Sequence, residues 1–97
     1  MPTYEWERVF GREFAALDRD SQEAFLAAVA QFVEDLQHRR QVRRSLRVKP
    51  VRGHDGVFEM TWAGNGRATF AYGEEQSPRQ AHIIWRRIGS HDIFRRP

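Results

Sequence analysis

A chain of 97 residues with a net charge of +3 has room for one core and one domain, spanning 1–97. It contains no cysteine, which excludes a disulfide framework and a thiolate zinc site. No apolar run reaches membrane-spanning length, and Met1-Pro2-Thr3-Tyr4-Glu5 has neither region of a signal peptide, so a cytoplasmic protein without membrane contact is expected.

Residues 4–10 alternate in part and predict a short opening strand, in which Trp6 packs against other apolar groups. Residues 11–17 predict a short helix presenting Phe14 and Leu17. Asp18 and Asp20 are N-cap candidates for the next helix, and Glu23 stands three residues after Asp20, as in a capping box. From Ser21 to about Arg40, Phe25, Ala28, Val29, Phe32, Val33 and Leu36 recur at helical spacing and form one apolar stripe. Glu34 and Asp35 are expected on the opposite side or its flank. His38, Arg39 and Arg40 would complement the negative helix end.

The second half reads as strands. Residues 46–51 predict an extended connection into the turn Gly53-His54-Asp55-Gly56, and residues 57–62 a strand. The turn Ala63-Gly64-Asn65-Gly66, with residues tolerant of positive φ, joins it to a strand over 67–72. A polar loop containing Pro78 leads to the last long strand at 82–88. The expected fold is therefore α+β: a short N-terminal strand, and two helices packed on an antiparallel three- to four-stranded sheet. Trp62, Trp85 and His82 read as structural. The four histidines show no paired-ligand spacing, so no metal and no cofactor is expected.

Charge is divided unevenly. Residues 1–38 balance at −5 and residues 39–97 at +8, and Lys49 is the only lysine. Seven of the fourteen residues from Arg39 to Arg52 are basic, among them Arg43, Arg44 and Arg47. The arginine fork matches phosphate and stacks on bases, which makes nucleic acid the first partner to consider. In the closing Gly89-Ser90-His91-Asp92-Ile93-Phe94-Arg95-Arg96-Pro97, a histidine stands beside an aromatic and further arginines. Histidine exchanges protons near neutrality, as cleavage of RNA through its 2′-hydroxyl requires of an acid or base.

The order of elements, together with Leu46-Arg47-Val48-Lys49-Pro50-Val51-Arg52-Gly53-His54, the hairpin from Val57 to Tyr72, and Ile88-Gly89-Ser90-His91-Asp92-Ile93-Phe94, resembles the RelE/ParE superfamily of type II toxins. The closing block is similar to the YafQ and YoeB branches. The resemblance implies a metal-independent endoribonuclease that cuts mRNA in the ribosomal A site, with the ribosome, mRNA and a cognate antitoxin as partners. It implies His91 as general acid or base and Arg67 as the arginine on the scissile phosphate. Lys49 would stabilise the phosphate, and Arg52, His54, Arg86, Arg87 and Phe94 would hold RNA with Arg43, Arg44 and Arg47. The base stays open between His54, equally suited to a solvated turn, and Glu59, better suited to a cross-strand ion pair with Arg67. The alternatives are a ParE-like gyrase inhibitor and a family member that binds RNA without cutting it.

Overall fold

The computed structural model describes residues 2–97. In chain order they form β1 (Thr3–Trp6), α1 (Arg8–Ala16), α2 (Arg19–Gln37), a 3-10 turn (Arg44–Leu46), β2 (Lys49–Pro50), β3 (Phe58–Thr61), β4 (Arg67–Tyr72), β5 (His82–Gly89) and a 3-10 helix (His91–Arg95). The strands make one five-stranded sheet in the order β1-β5-β4-β3-β2. The expected α+β class holds. The sheet is mixed rather than purely antiparallel, because β1 pairs parallel with β5, Thr3 beside His82 and Trp6 beside Trp85.

The opening strand is shorter than its alternation predicts. Val9 and Phe10 belong to α1, where Phe10 is buried against Phe25 and Trp85. The chain extends briefly at Leu17 and Asp18, and then α2 begins. Asp18, not Asp20, is its N-cap: the Asp18 carboxylate accepts the Ser21 N–H at 2.7 Å. That hydrogen bond also lowers the Asp18 pKa.

Phe25, Ala28 and Phe32 of the predicted stripe are buried, with Val29 and Leu36 packed at their margin. Phe32 meets Phe70 at 5.1 Å and Phe70 meets Trp85 at 5.4 Å between ring centres, in tilted and edge-on geometries that aromatic rings favour. Met60, Ala68, Ile83 and Ile88 complete the layer between helices and sheet.

Asp35 departs from expectation. It is 3% exposed, on the buried side of α2, because Arg43 folds back over it. Arg43 Nε and Nη2 each donate to one carboxylate oxygen at 2.9 Å, and the Arg43 backbone N–H adds a third bond at 3.0 Å. These bonds hold the Asp35 carboxyl at about 2, below its usual 3.8. The pair ties the loop after α2 back onto the helix.

His82 is structural, as expected. It is buried between the Thr3 hydroxyl and the Glu5 carboxylate, each 2.7 Å from a ring nitrogen. A carboxylate only accepts, so Nε2 carries the proton towards Glu5, and in the neutral ring Nδ1 accepts from Thr3. Side chains thus reinforce the β1–β5 pairing.

Two outcomes follow. Phe32→Ala removes a fully buried ring and should cost about 3–5 kcal/mol in denaturant unfolding. Because the Asp35 pKa is depressed in the fold, its contribution is present above about pH 4 and is lost as pH falls towards about 2. Asp35→Asn should therefore lower Tm at neutral pH and flatten the acid limb of a Tm-against-pH curve.

Candidate nucleic-acid interface

Strand alternation divides the sheet into a helix-covered face and an open face. Phe58, Met60, Ala68 and Phe70 lie towards the helices, so Glu59, Thr61 and Thr69 lie on the open face. The register sets Lys49, Glu59 and Thr69 side by side in one row across β2, β3 and β4. The adjacent row holds Thr61, Arg67 and Gly89, and His91 follows two residues after Gly89. Arg67 therefore lies at the end of the sheet that carries the 63–66 hairpin turn, His91 follows just beyond β5 at that end, and the Lys49–Glu59 row lies one step further along the same face.

The ion pair expected between Glu59 and Arg67 does not form, because the register places Arg67 opposite Thr61. Glu59 instead faces Lys49, with Nζ 3.9 Å from its carboxylate. The Glu59 side chain is only 14% exposed, whereas the Lys49 side chain is 60% exposed. A shielded carboxylate beside an accessible cation results. Arg67 turns onto its own hairpin, where Nη1 donates to the carbonyls of Gly66 at 2.9 Å and Gly64 at 3.2 Å.

The 63–66 turn departs from the expected chemistry, since Gly66 and Asn65 are absent from the positive-φ residues. Gly66 is needed for space: a Cβ there would come within 2.5 Å of the Trp62 ring. Among the described glycines, positive φ falls at Gly53 and Gly56, in the other turn.

His91 is exposed at the start of the closing 3-10 helix, with its ring edge-on to Phe94 at 5.2 Å. The Ser90 side chain accepts from the Asp92 N–H, and Ile93 is buried against Gly89. The segment passes over β4, where Thr69 Oγ1 donates to the Pro97 carbonyl at 3.4 Å. Beside it, β2 and β3 present Lys49 and Glu59.

The remaining arginines separate into two groups. Arg43 is taken up by Asp35, Arg87 by Glu13, and Arg86 lies near Glu7 and bonds the Pro97 carbonyl. Arg44, Arg47 and Arg52 are exposed and form no ion pair among the described residues. His54 is exposed in the 53–56 turn, at the opposite end of β3 from the 63–66 turn. Glu13 and Thr69 were missed by sequence reasoning. Thr69 had a signal, alternating between Ala68 and Phe70. Glu13 had none, since its partner Arg87 is 74 residues away.

A second surface lies at the β1 edge. Trp6 is not core: it is 54% exposed and stacks on Tyr4, itself 63% exposed, at 5.6 Å. Together with Phe10, Phe14, Leu26 and Val29 they line an apolar groove of about 510 Å³.

No family model and no curated protein sequence matches the chain. Solved structures do match. YafQ from E. coli strain BL21(DE3) superposes with a TM-score of 0.62 at 8% identity, over 95% of this chain and 96% of that one. The YoeB/ParE toxin from Agrobacterium tumefaciens gives 0.65 at 8% identity, over 92% and 98%. A chain of the RelB–RelE antitoxin–toxin complex from Methanococcus jannaschii gives 0.60 at 13% identity, over 94% of each. The chain has the RelE/ParE toxin fold. In that frame α1 and α2 back the sheet, the open face carries the row of Lys49, Glu59 and Thr69, and His91 opens the 3-10 helix that follows β5.

The division among the arginines is open to a direct check. Arg43→Ala should lower Tm clearly, whereas Arg52→Ala should leave it within a degree or so, read by circular dichroism melts.

Proposed function

We propose that this protein is the toxin of a type II toxin–antitoxin pair and a ribosome-dependent endoribonuclease acting on mRNA. What supports the reading is the register of the open face, which sets Lys49 beside Glu59 and Arg67 opposite Gly89, two residues before His91 and its neighbour Phe94. Cleavage needs a base for the 2′-hydroxyl proton, a cation for the charge building on phosphorus, and an acid for the departing 5′-oxygen.

In this scheme Lys49 and Arg67 face the phosphate. Arg67 keeps Nη2 and Nε beyond the hydrogen bonds that its Nη1 makes to the turn. His91 gives a proton to the 5′-oxygen, and Phe94 offers its ring to a neighbouring base. Glu59 is better placed as the base than His54, because it lies in the Lys49 row and His54 lies at the far end of β3. The exposed Arg44, Arg47 and Arg52 extend the cationic surface along the RNA backbone. Arg43, Arg86 and Arg87 act from within the fold, and their part in RNA binding is indirect.

The partner we propose is a cognate antitoxin that lays an apolar segment into the groove beside Tyr4 and Trp6. The exposed aromatic pair supports this, since stacked tryptophan and tyrosine left half in water commonly anchor a partner chain.

Expression in a bacterial host should arrest growth and translation, and mapped mRNA 5′ ends should show new cuts within translated codons. His91→Ala should lower cleavage about 100-fold or more while leaving the fold and RNA affinity intact. Full toxicity from a folded His91→Ala protein sinks the role of that residue. DNA damage with intact translation would mark a gyrase-directed protein instead.

A further inference from the structure

The segment that carries His91 has little stability of its own. Five residues of 3-10 helix form one weak turn and a half, and only Ile93 is buried within it. Its far end is fastened by a pair of neighbouring arginines on β5, together with the longer Thr69 bond to Pro97. Arg87 Nη1 donates to the Arg96 carbonyl at 2.7 Å, and Arg86 Nε donates to the Pro97 carbonyl at 3.1 Å.

Each arginine is in turn held from behind by a carboxylate of the first half. Glu13 on α1 takes Arg87 in a two-pronged bond, Nε and Nη2 each at 2.8 Å from one oxygen. The same carboxylate accepts the Ile88 backbone N–H at 3.3 Å. Glu7, at the foot of α1, stands 3.5 Å from Arg86. The Glu13 pair is the stronger, being bidentate and about three-quarters shielded on both sides. It fixes the plane of the Arg87 guanidinium, so that Nη1 is aimed at the Arg96 carbonyl.

We infer that Glu13, acting through Arg87, is a positioning residue that fixes His91 and Phe94 at the end of β5. Its effect on catalysis rests on the RNA-cleaving reading above, whereas the positioning itself does not. Without the carboxylate the guanidinium turns to water, the Arg96 carbonyl loses its donor, and the 91–97 segment, left to Ile93 and the Pro97 bonds, loosens over β4. His91 then samples many positions, and a displacement of about 1 Å at a reacting group costs on the order of 100-fold in rate. The exposed cations Arg44, Arg47, Lys49 and Arg52 lie on other elements, so affinity for RNA stays.

The test uses the full chain with Glu13→Gln and Arg87→Lys, each measured in two ways. The His91 ring-proton signals are assigned by their loss in His91→Ala, and mRNA cleavage is followed on programmed ribosomes. In the wild type the Phe94 ring, edge-on at 5.2 Å, displaces the His91 signals from those of free histidine. In both variants they should move towards the free value, while kcat falls about 10- to 100-fold and KM changes less than about two-fold. Should Glu13→Gln fail to fold, Arg87→Lys, which keeps the charge, carries both measurements. Unmoved His91 signals in a folded variant overturn the positioning. Moved signals with unchanged kcat overturn its consequence for catalysis. Moved signals in a protein whose wild type does not cut RNA uphold the positioning and remove the cleavage reading instead.

Discussion

The parallel pairing of β1 with β5 is the constraint from which the rest of the architecture follows. It puts the first strand at one edge of the sheet, and the second strand, β2, lies at the other. The chain must therefore cross the full width of the sheet between them. Four strand spacings are about 19 Å, and α2, with its 19 residues, is about 28 Å long. Both helices make the crossing on the same side, which buries the face of Phe70 and Trp85. The other face is left for the Lys49–Glu59 row and the closing segment. Thr3, His82 and Glu5 secure this pairing through side chains as well as backbone.

The two halves of the chain are not simply an acidic scaffold and a basic surface. Acidic residues of the first half reach specific arginines of the second: Glu7 to Arg86, Glu13 to Arg87, Asp35 to Arg43. These pairs withdraw three cations from the surface and make them part of the fold. Counting charges along the chain cannot distinguish such arginines from Arg44 or Arg52, because the partners of Arg86 and Arg87 lie far away in sequence and Asp35 reaches Arg43 only through the fold of the loop between them. The surface charge that remains is smaller than the +8 of the second half implies, but it is concentrated around β2 and the loops that flank it.

Long periodic segments were legible and junctions were not. The stripe from Phe25 to Leu36 identified α2, and β4 spans 67–72 as predicted, because each pattern is set by one buried face over many residues. The start of α1 was obscured, since Val9 and Phe10 fit a strand's alternation as well as a helix's first turn. Asp35 occupies a helix position that geometry makes buried, and only the fold supplies the Arg43 that makes this tolerable. The mixed sheet was hidden because a parallel neighbour leaves no local turn to announce it. Of the candidate site, the residue types were legible. Their grouping depended on register, and the register replaced the expected Glu59–Arg67 pair with Glu59–Lys49.

The bulge in β5 shows how the core reaches the site. Trp85 and Ile88 are three residues apart, yet both are buried on the helix side, which strict alternation forbids. The register slips between Phe70, opposite Trp85, and Thr69, opposite Arg87, leaving Arg86 as the extra residue. That single insertion satisfies the core at both Trp85 and Ile88. It also releases two adjacent arginines, one to the Pro97 carbonyl and the other to Glu13 and the Arg96 carbonyl. The strand therefore ends with its core contacts intact and its last residues redirected over the open face. Packing around Trp85 and the placement of His91 are consequences of the same irregularity, so a change that straightened β5 would disturb both together.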